Sequence, residues 1–596
     1  MKQEYDKQRL MRYVKLDGHA GVKVSDDYYF YITRVDGVMQ IFKSAYDKPW
    51  PHQLTFFEEG VDGFSLSPDG MMLAVIVNFK GSEHNPIALV DTLTGHSELV
   101  FWEKDTQSGT IVWKQDSSAF LFRSNHENKT DFKIYEFKIF PNSYELLIDT
   151  QGWAAPLGYS PSGEKVLYII ANSNSDQNLY LYDCEKSESK KLTNHEGSVC
   201  YEARFGSSDD EIFVLTNEGR DFNRLYHWDL STEESKHLGP ELDWECQGLQ
   251  VSRCGRYVMF CANEEGYSNL YVIDGWMNRQ LPSPETKGVI GSYHFRSDMS
   301  IVFTYQFPKR ASQVYSYDLK EETTRQLTWS SAQGLNPHEF IQPRLIHFES
   351  FDGLNVPAFL FLPKGYKRGK KIPMVLHFHG GPEGQFRPMF YKHFQYLLEL
   401  GIGVCAPNIR GSSGYGSSYM ALDDYKLRMD SVKDGAELAH YLVNQGMTDY
   451  DKLGVVGGSY GGFMVLALIT NYPEIFSAAV DVVGISNLVT FLQNTKPYRR
   501  ALREKEYGPL SDEEFLKSIS PINKIDNVKT PLLVVHGETD PRVPLEEAQQ
   551  VVDRLQELGR EVEALYFPDE GHGVRKLANQ IVYYERMIQF FVKYLK

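Results

Sequence analysis

Cysteine is scarce in this 596-residue chain: there are six, with no Cys-x-x-Cys pair and no histidines at zinc-binding spacing. A structural zinc site and a disulfide framework are both excluded on that count. Cys246, Cys254 and Cys261 lie nearest one another, but in a strand-rich stretch, and read as buried free thiols. Long hydrophobic runs are also missing. No apolar stretch is long and glycine-free enough to cross a membrane as a helix, and residues 1–10 are charged, without the apolar centre of a secretory signal. Positive charge is in deficit, with 62 Lys plus Arg against 79 Asp plus Glu and a formal net charge of −17. Nucleic acid and an anionic membrane are therefore not expected as partners. These absences lead to the expectation of a protein of a reducing cytoplasm.

At 596 residues the chain exceeds one ordinary domain. From residue 22 to 328, short β-branched and aromatic runs alternate with polar turns, and helix-period patterns are nearly absent. The runs repeat. Phe64-Ser-Leu-Ser-Pro-Asp-Gly, ahead of an apolar run at 71–77, returns as Gly158-Tyr-Ser-Pro-Ser-Gly and as Gln250-Val-Ser-Arg-Cys-Gly. Weaker copies start near Ile111, Ala203 and Tyr293, and an atypical first copy near Val22. Later in several units comes an aromatic-Asp step (Tyr182-Asp183, Trp228-Asp229, Tyr317-Asp318), and some close on Leu-Thr at Leu54-Thr55, Leu192-Thr193 and Leu327-Thr328. The start-to-start spacing of roughly 40–50 residues is that of four-stranded propeller blades. About seven copies predict an all-β propeller over residues 22–329, folding as one cooperative domain because a lone blade cannot bury both faces. Turn residues such as Asp69-Gly70 are assigned no chemistry. Residues 1–21 form an N-terminal segment, with a weak signal for a short charged helix to about Val14, and one placement for it is against the C-terminal domain.

Residues 330–343 read as a Gly/Asn/Pro-containing linker, after which strand-like runs (344–351, 356–362, 374–379, 403–407, 478–483) alternate with helical patterns (389–400, 432–444, 544–558, 575–596). Such alternation predicts, over residues 344–596, an α/β-hydrolase-like fold: a mostly parallel sheet with helices on both faces. Its centre is Gly457-Gly458-Ser459-Tyr460-Gly461-Gly462, between an apolar run at 453–456 and a helical run at 463–470. Gly457-x-Ser459-x-Gly461 fits the nucleophile elbow, a tight strand-to-helix turn in which flanking side chains would collide with their neighbours. The helix that follows aims its first N–H groups back at the serine. Alone, the motif also suits a phosphate loop or a packing turn. Downstream, however, the apolar run 532–535 leads into His536-Gly-Glu-Thr-Asp540-Pro-Arg542, and the run 562–567 leads into Glu570-Gly571-His572-Gly573. Ser, then Asp, then His, each beyond a strand, is the chain order of the α/β-hydrolase triad. Ser459 is thus the expected nucleophile, His572 the base and Asp540 its orienting partner. His379-Gly380-Gly381-Pro382 ends a strand where a second oxyanion donor belongs, so the N–H groups of Gly381 and Tyr460 are the expected oxyanion hole. His377 and His379 read as structural, and no metal is assigned.

A propeller followed by a hydrolase carrying Gly-Gly-Ser459-Tyr-Gly-Gly, Asn408-Ile-Arg410-Gly-Ser-Ser-Gly-Tyr415-Gly, Asp540-Pro-Arg542-Val-Pro and Glu570-Gly-His572-Gly resembles the prolyl oligopeptidase family of serine peptidases over essentially the whole chain. The resemblance implies a propeller seated over the active site, an oligopeptide substrate, and binding of a substrate carbonyl by Arg542. Within the family, the His379–Pro382 loop resembles the acylaminoacyl-peptidase branch; the tyrosine that prolyl oligopeptidases and dipeptidyl peptidase IV carry there is absent. Paired glutamates for a free N-terminus are not evident, since Glu264-Glu265 and Glu321-Glu322 follow strands and read as solvated turns. The expected reaction is two-step acyl transfer without metal or cofactor, on short peptides or N-acylated oligopeptides. A carboxylesterase-like hydrolase and an aminopeptidase or dipeptidyl peptidase are the alternatives, with a non-catalytic propeller scaffold as a third. Residues 486–507, with Phe491, Tyr498 and Tyr507, are expected to line an apolar acyl pocket, and the linkers near 15–22 and 330–343 to act as hinges. Oligomeric state, homo-oligomer included, stays open.

Overall fold

The computed structural model describes residues 5–275 and 277–596. Seven four-stranded antiparallel sheets follow one another at residues 20–53, 61–101, 108–148, 153–191, 201–238, 245–280 and 289–326, and are numbered here blades 1 to 7. The repeated sequence signatures are turn and edge chemistry. In the Ser-Pro-Asp-Gly turn, Ser67 Oγ accepts from Met72 N at 2.9 Å and donates to Asp69 at 2.6 Å, while Gly70 takes φ 75°. Ser160 and Ser252 accept from Lys165 N (3.1 Å) and Tyr257 N (3.0 Å) in the matching places. The closing Leu-Thr extends the ladder past the last strand: Thr55, Thr193 and Thr328 hydroxyls accept from Ile41 N, Leu179 N and Val314 N at 2.8–3.1 Å. A buried amide that would otherwise lack an acceptor is thereby satisfied.

Apolar side chains fill the spaces between neighbouring blades, as where Ala155, Leu167 and Leu179 of blade 4 meet Tyr201, Ile212 and Val214 of blade 5. The ring closes in the same way and shares no strand. Val22, Tyr29, Tyr31 and Phe42 of blade 1 pack on Val302, Val314 and Leu327 of blade 7. Two hydrogen bonds reinforce that seam: Tyr29 OH to Leu327 O at 3.0 Å and Val22 N to Ser292 Oγ at 2.8 Å.

The C-terminal sheet has eight strands: β1 (Arg344–Glu349), β2 (Asn355–Phe361), β3 (Met374–Phe378), β4 (Gly403–Pro407), β5 (Leu453–Gly458), β6 (Ala478–Val482), β7 (Leu532–Gly537) and β8 (Val562–Phe567). They lie in the order β1-β2-β4-β3-β5-β6-β7-β8, antiparallel at β1-β2 and β2-β4 and parallel from there on. One face is covered by the helices Arg428–Asn444, Tyr460–Asn471 and Glu546–Glu557, the other by Lys392–Glu399 and Leu577–Leu595. The N-terminal helix Lys7–Val14 joins the second face. It is capped by Asp6, which accepts from Gln8 N at 2.8 Å; it buries Leu10, Tyr13 and Val14, and it pairs Arg9 with Glu399 at 2.8 Å. Among the described residues no helix is long and apolar enough to cross a membrane.

Candidate active site

Ser459 follows β5 at φ 59° and ψ −119°, a left-handed conformation that a non-glycine residue keeps only when its surroundings hold it. Its N–H donates to Val482 O on β6 at 2.9 Å, and its carbonyl accepts from Phe463 N at 3.0 Å. Three glycines make room for the turn. A Cβ at Gly457 would lie 2.8 Å from Gly461 Cα, one at Gly461 2.9 Å from His379 O, and one at Gly462 2.5 Å from Gly484 Cα. Gly458 is less confined, its nearest neighbour being Val482 O at 3.7 Å. Tyr460 begins the next helix, so its N–H has no intrahelical acceptor. Its ring is pinned below by hydrogen bonds between its hydroxyl and Ser431 Oγ (2.7 Å), Asp423 (3.0 Å) and Arg428 (3.2 Å). Arg428, fully buried, is ion-paired with Asp423 and donates to Glu506 O at 2.7 Å.

Asp540 and His572 lie on the loops after β7 and β8, and the structure joins them: His572 Nδ1 is 2.7 Å from Asp540 Oδ2. The other Asp540 oxygen accepts from Arg542 N (2.8 Å) and Val543 N (3.1 Å). Burial alone would push this carboxyl up, but the His572 and His536 rings and the backbone N–H groups outweigh it and hold the group below the usual carboxylate range. His536, a residue given no role by the sequence motifs, backs the pair from inside, with Nε2 3.8 Å from Asp540 and 3.0 Å from Val543 O. The His572 loop is tied down by buried Glu570, which accepts from Arg575 N and Lys576 N at 2.8–3.0 Å. Ser459 and His572 border one cavity of about 330 Å³, together with Gly380 and Gly381. Among the described residues no hydrogen bond joins their side chains. His379 sits behind the glycine loop, bonded to Gly380 O (2.9 Å) and Ser412 Oγ (2.8 Å), and a Cβ at Gly380 would lie 3.5 Å from that of Ser459. The Asn408–Tyr415 motif is a brace: Asn408 bonds both backbone atoms of Phe386 and the Tyr415 hydroxyl, and Arg410 forms ion pairs with Asp434 and Asp352.

The propeller reaches into this region. A loop of blade 2, residues 78–85, lies on both the Asp540 and the His572 loop: Thr539 Oγ1 donates to Lys80 O at 2.6 Å, and Gly81 packs backbone to backbone on Gly571. Glu83 of the same loop pairs with Arg542. Arg542 is thus engaged across the domain boundary and not within its own loop. The expected apolar pocket at 486–507 is only partly so. Phe491 and Tyr507 do line the cavity, but Tyr498 packs edge-on against Phe132 of blade 3, with ring centroids 5.4 Å apart, and Arg499 and Arg503 take wall positions. Next to it lies a second cavity of about 490 Å³, between blades 4 to 6 and the catalytic domain, bordered by Glu202, Asp221, Glu245, Glu383 and Asp424. Burial and the Glu202 and Asp221 carboxylates push the Glu245 carboxyl up to about 7. The carboxylates that share this cavity come from blade 5 (Glu202, Asp221), blade 6 (Glu245) and the catalytic domain (Glu383, Asp424), and not from the Glu-Glu doublets of the sequence. Of those doublets, Glu321 and Glu322 are exposed, whereas Glu265 faces His347 at 3.6 Å. A larger cavity of about 790 Å³ borders Ile372, Pro373 and Lys452, which precede β3 and β5, and so lies at the opposite end of the strands from Ser459. Of the cysteines, Cys246 and Cys261 are buried but Cys254 is exposed.

A nucleophile elbow at the C-terminal edge of an eight-stranded sheet, covered by a seven-bladed ring, defines a propeller-capped α/β-hydrolase. Residues 388–596 match the model of the prolyl oligopeptidase family, and residues 55–329 that of the prolyl oligopeptidase N-terminal beta-propeller domain. The chain belongs to the prolyl oligopeptidase family and is a serine-type peptidase. It is 24% identical over 590 residues to dipeptidyl aminopeptidase BIII of Pseudoxanthomonas mexicana, covering 94% of this chain and 84% of that one. It is 30% identical over 241 residues to the acylamino-acid-releasing enzyme of Arabidopsis thaliana, a match that spans 39% of this chain and 32% of the relative. In fold it is similar to a puromycin-hydrolyzing peptidase of Mycobacterium tuberculosis, with TM-score 0.87 at 19% identity over 99% of this chain and 96% of that one.

Proposed function

We propose that the chain is a serine oligopeptidase working through an acyl-enzyme. Ser459 attacks the scissile carbonyl while His572 takes its proton, Asp540 orients the imidazole and stabilises its charged form, and the N–H groups of Tyr460 and Gly381 receive the oxyanion. His572 then protonates the leaving amine and activates the water that releases the acyl group. The observation that carries this reading is the 2.7 Å bond from buried Asp540 to His572 Nδ1, which leaves Nε2 as the imidazole nitrogen available to a nucleophile in the cavity that Ser459 borders. The missing Ser459–His572 bond does not weigh against it, because such contacts often tighten only with substrate. Ser459→Ala and His572→Ala should each lower kcat/KM on a peptide amide by several orders of magnitude, the double variant being little worse. A serine-directed phosphonate should label Ser459. Near-normal turnover by Ser459→Ala sinks the reading.

A specific observation favours a free amino terminus over an acylated one. The cavity beside the triad is bordered by Glu202, Asp221, Glu245, Glu383 and Asp424 against Arg503 and Lys505, and a substrate ammonium would relieve the negative excess. The name of the Pseudoxanthomonas relative fits this second reading, an aminopeptidase; that of the Arabidopsis relative fits the N-acylated one. Hydrolysis of one peptide with a free and with an acetylated N-terminus separates them. Faster cleavage of the free form, reduced by Glu245→Gln, supports the aminopeptidase; faster cleavage of the acetylated form rejects it.

A further inference from the structure

Around the reacting atoms, the 330 Å³ cavity has an apolar wall of Ile485, Phe491, Tyr507 and Val543 and three guanidinium groups, those of Arg499, Arg503 and Arg542. In a chain of net charge −17 this is a local inversion of sign. The three differ in how they are matched. Arg503 donates to Glu506 at 2.6 Å and to Gly381 O at 3.3 Å. Arg542 pairs through Nε with Glu83. Arg499 has the same Glu83 as its nearest carboxylate, at 3.8 Å, beyond hydrogen-bond reach, although its side chain is only 19% exposed. Among the described residues its guanidinium donates no hydrogen bond. Glu383 also acts on Arg503, so of the three guanidinium groups Arg499 is the one with no carboxylate within hydrogen-bond distance. Burial, with the neighbouring Arg503 and Arg542 charges, holds the Arg499 pKa below its usual value, as expected of a cation short of a counter-charge. Nearly buried charges are ordinarily paired, because an unmatched one is costly.

We propose that the cavity receives a substrate carboxylate, belonging to an acidic residue on the acyl side of the scissile bond, with Arg499 as the donor that reads it. The proposal rests on Ser459 being the nucleophile. A guanidinium without a hydrogen-bonded carboxylate has room for one, and offers that planar anion a two-pronged donor. Phe491 and Tyr507 would flank the methylene stem of Glu or Asp. The acyl side follows from His572, which delivers a proton to the leaving amine and so marks the leaving side. The helix Pro497–Tyr507, which carries Arg499 and Arg503, instead touches the oxyanion loop at Gly381.

The test uses aminomethylcoumarin amides of one short peptide, free and acetylated at the N-terminus, ending in Glu, Asp, Gln, Asn or Leu. The leaving group is constant. At least a tenfold higher kcat/KM for Glu than for Gln is expected, with the ratio falling toward one in Arg499→Met and partly restored by Arg499→Lys. Equal or faster cleavage of Gln and Leu overturns the pocket and leaves the triad intact. Calorimetric binding of the Glu- and Gln-ended peptide acids to Ser459→Ala needs no turnover. A tenfold preference there with no cleavage by wild type would reject the triad while supporting the pocket, and equal binding would reject the pocket. A third arm compares peptides whose leaving-side C-terminus is a free acid or an amide; a preference that follows that group puts the carboxylate on the wrong side and overturns the proposal.

Discussion

Replacing Gly81 with alanine asks whether the propeller holds the loop of His572, the proposed general base, in place. Gly81 has φ +69° and lies between two further left-handed residues, Lys80 (φ 52°) and Glu83 (φ 61°), so this blade-2 loop is held in a conformation its sequence does not favour. An added Cβ would run into Gly571 N and lie 2.9 Å from Gly571 Cα, beside His572, and both obstacles are backbone, with no side chain to swing aside. Carbon contacts settle at about 3.5–4.0 Å, so the loops must separate by about 0.5–1 Å. A displacement of that order at a catalytic group costs up to ~100-fold, and kcat/KM on a short peptide amide should fall about 10- to 100-fold. Alanine in the left-handed region costs about 1–2 kcal/mol in any case. The control for that strain is Gly152→Ala, with φ +75° and nothing within 4 Å, which should carry the same penalty and leave kcat/KM unchanged. Both variants should melt within about 2–4 °C of wild type per kcal/mol lost, or closer, given the chain's size. If Gly81→Ala keeps its activity within about twofold of Gly152→Ala, the blade-2 contact does not set the position of His572, and the role given to this loop is refuted.

Arg542→Ala should impair peptide hydrolysis more than hydrolysis of a small ester that does not reach it; equal losses with a lowered melting temperature would instead show that the Glu83 pair is a structural tie. Cleavage should fall steeply once a fixed scissile sequence moves from a short peptide to a folded host, because the ring of blades stands over the site; comparable rates on both would leave the propeller no filtering role. Buried histidines should contribute an acid-sensitive part of the stability. Burial lowers the pKa of His19 to about 4 and those of His377 and His393 to about 3. The unfolded chain, with histidines near 6.5, binds more protons than the native one below that pH, so stability is present above about 6.5 and is lost as pH falls toward the folded values. Each such histidine contributes up to about 1.4 kcal/mol per pH unit. Carboxyls that burial holds up, Glu245 and Asp481 at about 7, act in the opposite direction over this range, so the measurement is a difference: between pH 7 and 5 the melting temperature of His377→Gln should fall less, or rise more, than that of wild type, and parallel profiles would refute the assignment.

What could be read from the sequence is what neighbouring residues decide among themselves. The Ser-Pro-Asp-Gly and Leu-Thr signatures recur because each blade needs the same turn and the same hydroxyl at its last ladder position, so seven units are countable. Of the elbow glycines, Gly457 is dictated by crowding against Gly461 a few residues on, whereas Gly461 and Gly462 meet backbone from other strand ends, at His379 and Gly484. The site's charged surroundings are not legible in this way, because they are made by residues far apart in the chain. Glu202 and Glu245 meet through equivalent strands of blades 5 and 6, whereas adjacent residues of a strand point to opposite faces, so Glu-Glu doublets are the wrong pattern to look for. Glu83 finds Arg542 only through the docking of blade 2. Arg499 and Arg503 do carry a signal: four apart on a helix, they share one face, but the aromatic residues among them suggest an apolar pocket.

The two cavities of opposite charge share Gly381 and Arg503, and this bears on what the propeller does. The helix Pro497–Tyr507 is fastened to the propeller by Lys505, which donates to Ser173 and Ser198 at 2.7–3.3 Å, and by Glu506, which accepts from Asn174 at 2.8 Å. It is also fastened to the oxyanion loop through Arg503. On the other side of the nucleophile, blade 2 rests on the histidine loop. Separation of the domains would therefore withdraw support from the Gly381 loop and the His572 loop together, while opening both cavities. A ring that served only as a sieve would need neither connection. Because both exist, we infer that entry of a substrate and assembly of the catalytic geometry are opposite halves of one movement.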